Sequence, residues 1–150
     1  MNHAFDRRSV LGLAVGGAAG AALLGSTLPS SAAPEKFTAQ LKGSSEVPPN
    51  TTGGSGTVTV TYDPATKEIT WDGTYTGLTG PATAAHFHGP AEPGKNAGVA
   101  IPITPATSPL HGTAKLTDAQ AADLEAGHWY VNIHTEANKG GELRGQLTKS

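Results

Sequence analysis

His86-Phe87-His88 is the pattern in this chain with the clearest capacity for chemistry. Side chains at i and i+2 of a β-strand share one face, about 6.5–7 Å apart. The two imidazoles therefore point the same way, while Phe87 turns towards a core. A third imidazole, His134, ends the segment His128–His134, in which Trp129, Val131 and Ile133 alternate with His128, Tyr130, Asn132 and His134. Loops begin at once after both histidine-bearing segments, at Gly89-Pro90 and at Thr135, and strand ends beside loops are where a β scaffold usually carries its function. Neutral imidazoles from two strands suit copper, zinc, nickel or iron, and three of them leave an open coordination position. His128 and His134 lie about 20 Å apart on an extended strand, so they do not share an ion. His134 is the partner for the pair, and His128 reads as a partly buried surface residue. His111, in the turn Ser108-Pro109-Leu110-His111-Gly112, is the candidate fourth ligand. A His-X-His strand also occurs with no ion, its imidazoles bonding loop carbonyls instead.

The elements that must position these residues are legible as alternation. Phe37, Ala39 and Leu41 alternate with polar neighbours, as do Val58, Val60 and Tyr62 with threonines between them. Ile69, Trp71, Gly73 and Tyr75 repeat the pattern after the turn signal Asp63-Pro64. Period two over four to eight residues marks a half-buried strand. Ala82–His88, Val99–Ile103, Gly112–Leu116, His128–His134 and Glu142–Leu147 complete a set of eight strands separated by Gly- and Pro-rich turns. The class is all-β, an antiparallel sandwich or barrel. One short helix is expected over Asp118–Ala126, with Thr117 and Gln120 as a capping box and Gly127 just beyond its end. Two longer loops, Glu46–Ser55 and Gly89–Gly98, carry no pattern. Glu92, Lys95 and Asn96 in the second of these stand where they would cover a site at His88. Arg144 is expected on the outer face of the last strand, paired with Glu142 or Glu136 or donating to loop carbonyls. Asn132 and Tyr130 share the face of His134 and are candidates for the shell around a metal. Asp118, Asp123 and Glu125, on or beside the helix, are expected to be solvated.

Composition removes several functions. The chain has 150 residues, no Cys, 15% charged residues, 20 Gly and 11 Pro. Without cysteine there is no disulfide framework and no thiolate metal site, so any metal is held by imidazole and oxygen. A formal charge of -2 without a basic run argues against nucleic acid. No Ser-His-Asp order, carboxylate pair or phosphate-binding loop stands out.

Residues 1–33 read as an export signal. Arg7-Arg8 precedes an uncharged small and apolar stretch from Val10 to about Leu28, and Ser31-Ala32-Ala33 offers the small residues of a cleavage site. Asp6-Arg7-Arg8-Ser9-Val10-Leu11 resembles the twin-arginine export signal. The expected domain is then residues 34–150, periplasmic or secreted, and free of the membrane once the signal is removed.

Three stretches together resemble the CHRD domain, a module named from chordin: Ala84-Ala85-His86-Phe87-His88-Gly89-Pro90-Ala91, Leu124–Thr135 with its Gly127-His128-Trp129-Tyr130-Val131-Asn132-Ile133-His134, and Gly140-Gly141-Glu142-Leu143-Arg144-Gly145-Gln146-Leu147. Phe37–Leu41 followed by Glu46-Val47-Pro48-Pro49 is similar to the family's opening strand and turn. The resemblance implies an eight-stranded Greek-key sandwich similar to that of copper–zinc superoxide dismutase, where a His-X-His strand and a later strand histidine bind copper. By position His86 and His88 match the pair, and His134 the later ligand. The bridging and further zinc ligands of that enzyme have no counterparts here beyond His111 at a different spacing, so a structural zinc beside copper is not expected.

These readings support a small exported protein that holds one copper per chain, with zinc as the runner-up, at His86, His88 and His134, for storage, delivery or resistance. Its partners would be the metal ion and an extracytoplasmic protein. A metal-free extracellular binding or adhesion module is the alternative. A copper-only dismutase-like enzyme stands third.

Overall fold

The computed structural model describes residues 32–150. Residues 1–31 of the expected export signal lie outside the described residues. Among the described residues nine strands form one antiparallel sheet: β1 (Glu35–Lys42), β2 (Ser55–Asp63), β3 (Glu68–Thr76), β4 (Ala82–His88), β5 (Val99–Pro102), β6 (Leu110–Lys115), β7 (Tyr130–Thr135), β8 (Leu143–Gln146) and β9 (Thr148–Lys149). Their hydrogen-bonded order is β5-β4-β7-β8-β1-β2-β3-β6, with β9 added to β1. β1, β2 and β3 form a meander, whereas β6 returns beside β3 and β7 beside β4. Such returns let the sheet curl into a nearly closed barrel rather than extend flat.

The expected strands are present, with shifted ends. The last one, expected over Glu142–Leu147, covers only Leu143–Gln146 as β8, and the two-residue β9 beyond its expected end pairs with β1, giving nine strands instead of eight. Leu147 between them is fully buried. β7 starts at Tyr130 and not at His128. The helix α1 (Asp118–Glu125) stops one residue short of expectation. Its capping box is formed: Thr117 Oγ1 accepts from the Gln120 N–H, and Gln120 Oε1 accepts from the Thr117 N–H. Gly127 takes a positive φ of 77° beyond it, the conformation that ends helices cheaply only at glycine.

Alternation delivers one interior. Phe37, Ala39 and Leu41 of β1, Val58 and Val60 of β2, Ile69 and Trp71 of β3, Phe87 of β4, and Val131 and Ile133 of β7 pack into a single cluster. Trp71 meets Phe87 edge-on across the barrel at 5.2 Å between ring centroids. That crossing needs Gly112, which stands opposite Trp71 in the β3–β6 register. A Cβ there would lie 2.2 Å from the indole ring.

The two halves of the barrel treat their outer faces differently. Over β1, β2 and β3 the outward threonines Thr57, Thr59, Thr61, Thr70 and Thr74 remain half-buried or exposed. Over β4, β7 and β8 the outward residues His88, Tyr130, Asn132 and Arg144 are buried. Residues 43–54 and 89–98 account for the difference. They fold back over this face and make a second, polar layer outside the barrel wall.

Candidate metal centre

Register explains why the three imidazoles meet. In the β4–β7 ladder His86 stands opposite Asn132, His88 opposite Tyr130, and Ala84 opposite His134. His134 is thus displaced by one pleat from His86 on the same face, a diagonal neighbour within reach of a ring. The small Ala84 leaves His134 room to lean across. His86 and His134 have ring centroids 5.0 Å apart, and His86 and His88 5.5 Å. One nitrogen from each of the three lies within 4.8 Å of the others.

The outer hydrogen bonds assign the ring protons. His88 Nδ1 faces the Ala97 carbonyl at 3.0 Å, and His134 Nδ1 faces the Lys139 carbonyl at 2.9 Å. A carbonyl only accepts, so both Nδ1 atoms carry hydrogen and both Nε2 atoms bear lone pairs. His134 Nε2 lies 3.1 Å from His86 Nδ1, which donates to it. His88 Nε2 is buried and meets no partner. An unpaired buried acceptor is costly, and this one sits on a ring of the histidine trio. A first-row ion about 2.0–2.1 Å from each imidazole nitrogen would set such nitrogens about 3.3–3.6 Å from one another, so the 3.1 Å contact of His86 with His134 would open slightly and wider spacings, up to 4.8 Å, would close. The donor set therefore fits an imidazole-preferring ion. Burial, then the neighbouring His134 and His88, holds the His86 imidazolium below its ordinary range. His88 is lowered too, by burial first, against the opposing pull of the Ala97 carbonyl. Both rings are neutral, and so able to ligate, at neutral pH.

Around the trio the polar layer is continuous. The Tyr130 ring stacks on His88 at 4.8 Å and 3°, and the Arg144 guanidinium sits 3.5 Å from the Tyr130 centroid. Tyr130 Oη accepts from the Ala97 N–H at 3.1 Å and donates to the Ala97 carbonyl at 3.3 Å. Arg144 donates to Asn96 Oδ1 at 2.8 Å and to the Lys95 carbonyl. Gln146 Nε2 donates to the carbonyls of Ala91 and Gly127 at 3.0 and 2.8 Å. β7 and β8 thus hold the loop that presents the Ala97 carbonyl to His88.

Of the expected residues, His86, His88 and His134 come together. His111 does not join them. It lies on β6, beside β3 in the other half of the sheet, where Nδ1 meets Asp72 Oδ1 at 2.5 Å in the open. His128 precedes β7 and pairs with Glu92 at 3.0 Å. Tyr130 and Asn132 share the face of the trio, and Lys95 and Asn96 belong to its cover. Arg144 pairs with neither Glu142 nor Glu136. It bonds the loop, and although it points outward it is only 2% exposed.

Two carboxylates that alternation does not single out complete the layer. Glu142 is fully buried and accepts from Thr52 Oγ1, from the N–H and Oγ1 of Thr79, from Thr135 Oγ1 and from Asn138 Nδ2. Burial alone would raise its pKa, but the donors from Thr135, Thr79 and Thr52 overcome that and hold it down at about 2. Glu46, 5% exposed, accepts from Asn132 Nδ2 at 2.6 Å. Burial pushes its carboxyl up to about 7, against the pull of Arg144 and of hydrogen bonds from Val47 and Asn132. Gly141, at φ 135°, passes so close that a Cβ would lie 2.2 Å from Asn132 Nδ2 and 2.5 Å from Glu46 Oε1. The sequence signal for this packing is glycine beside a charged residue, as in Gly141-Glu142 and Arg144-Gly145.

Among the described residues no helix is long and apolar enough to cross a membrane. Comparison with known proteins finds that the family model described as CHRD domain matches residues 37–147. No curated protein and no solved structure matches the chain.

Proposed function

The chain belongs to the CHRD domain family, and from that premise we propose that it is an exported metal-binding protein holding one copper ion per molecule, as cargo for storage, delivery or resistance. Its ligands are His86, His88 and His134. The observation that carries the reading is the gathering of one nitrogen each from His86, His88 and His134 within 4.8 Å of one another, on rings that include a buried His88 Nε2 without a partner. The carbonyls of Ala97 and Lys139 orient two of the rings from outside, as carbonyls commonly do for metal-bound imidazole. Zinc suits the same donor set, and the absence of cysteine leaves imidazole and oxygen as the donors for either. A likeness to the copper–zinc superoxide dismutase sandwich is part of the proposal, supported by the returns of β6 beside β3 and β7 beside β4. An open position beside three imidazoles would admit a donor from a partner protein.

A metal-free binding module is the second reading. The 3.1 Å contact of His86 with His134 favours it, since that bond already satisfies both atoms. Titration with copper and with zinc at neutral pH, read by calorimetry and by melting temperature, separates the two. Metal binding predicts saturation at one ion per chain and a melting temperature that climbs with free ion, by mass action. Replacing His88 or His134 by Ala should abolish saturation. If neither ion saturates and neither moves the melting temperature, the metal reading fails.

A further inference from the structure

A second recess lies on the same outer face, beyond the Tyr130–Arg144 stack from the trio. It is a cleft of about 510 Å³ between the β1–β2 connection and the β4–β5 loop, and none of the three histidines lines it. This volume falls within the range of small-molecule sites. Its walls are apolar and stiff, made by Val47, Pro49 and Pro93, and its polar groups include Glu46 and Arg144. Both of these are buried, at 5% and 2% exposure, yet among the described residues they form no ion pair with each other. Arg144 pulls on Glu46 across the gap, but buried charges are ordinarily held in direct contact, so two that face a cleft without touching mark a place where a ligand completes the pairing.

We propose that this cleft binds a small organic carboxylate with an apolar body, the carboxylate received by Arg144 and Glu46 and the body held by Val47, Pro49 and Pro93. The sign of the ligand follows from which charge is permanent. Arg144 is always cationic, and its two bonds to Asn96 and Lys95 leave others of its N–H donors uncommitted. Glu46 has no cation in contact, and burial raises its carboxyl to about 7. Protonated, it donates to an incoming carboxylate instead of repelling it. The charged and titratable groups around it are Arg144 from β8 and Lys139 from the β7–β8 loop, which lines a smaller hollow on which Glu46 also borders. Asn132 from β7 holds its Oε1. An ammonium ligand would face the permanent charge of Arg144.

The site needs no metal, so its test is independent of the trio. The full chain is titrated at pH 6 with benzoate and, separately, with benzylamine, and backbone amide shifts are followed without added metal. Benzoate should give saturable shifts at Ser44, Ser45, Val47 and Gly94, and benzylamine none. Arg144→Lys should weaken benzoate tenfold or more, whereas Glu46→Gln, which fixes the neutral form, should retain it at pH 8. Should Arg144→Lys fail to fold, Val47→Asp places a negative charge on the exposed rim and should weaken benzoate similarly. Saturation by benzylamine, benzoate binding indifferent to Arg144→Lys and Val47→Asp, or no saturable shift with either probe overturns the proposal.

Discussion

Glu46 and Glu142 are two buried carboxyl groups on one face whose surroundings push them in opposite directions. Glu142 meets several donors and is held as the anion, while Glu46 meets few and is driven towards the acid. For Glu142, with a folded pKa below its unfolded value, the stabilisation is present above about 4.5 and is lost as pH falls towards about 2. For Glu46, with a folded pKa above its unfolded value, the stabilisation is present below about 4.5 and is lost as pH rises through about 7. Stability should therefore decline on both sides of mildly acidic pH. Glu46→Gln should be more stable than the parent at pH 8, by about 1–3 kcal/mol, with little difference at pH 5. Glu142→Gln should flatten the acid limb below pH 4.5. Denaturant melts across pH 2–9 read both, and equal effects of Glu46→Gln at pH 5 and pH 8 would sink the assignment for that residue.

At the scale of elements, the β4–β5 loop is organised by what lies beneath it. Tyr130 takes the Ala97 N–H and returns its own hydrogen to the Ala97 carbonyl, the group that also orients His88. Tyr130→Phe keeps the ring on His88 and removes both bonds. It should cost about 1–2 kcal/mol and expose the Ala97 amide, seen as faster hydrogen exchange there while the amides of β1 and β2 keep their protection. Unchanged exchange at Ala97 would show that the loop is held by Arg144 and Gln146 alone. The sequence makes the strands and the trio legible because Phe87, Val131 and Ile133 must face inward, which sets His86, His88 and His134 outward together. It does not reveal the cover. Alternation reads a polar residue as facing water, so Asn132 and Arg144 look exposed although residues 43–54 and 89–98 bury them. Those loops carry no period because backbone carbonyls and single side chains hold them, not an apolar stripe. His111 misleads for a related reason: strand neighbours in sequence do not disclose that β6 sits beside β3, in the other half of the sheet.

For the whole molecule, the single core and the absence of cysteine give a domain whose folding requires no oxidation. Such a chain suits export in either an unfolded or a folded state. On the proposed export reading, the Arg7-Arg8 segment would favour the folded route, with cleavage after Ala33. If that reading holds, mass spectrometry of the protein recovered outside the cytoplasm should find Pro34 as its first residue. A product that keeps the Arg7-Arg8 segment would instead mean that the segment anchors the chain.

The stretch Glu142–Gln146 follows the histidines in the chain, and it fastens loops from four earlier places. Glu142 gathers Thr52 and Thr79, Arg144 takes Lys95 and Asn96, and Gln146 takes Ala91 and Gly127. During synthesis, every ligand of the trio therefore leaves the ribosome before the clasp that shapes their surroundings. On the proposed metal reading, a nascent chain would carry three histidines without the built pocket, and selectivity for an ion would arrive only when β8 docks. Acquiring the wrong metal early would then be a hazard of translation order, and the docking of β8 would be the step that guards against it.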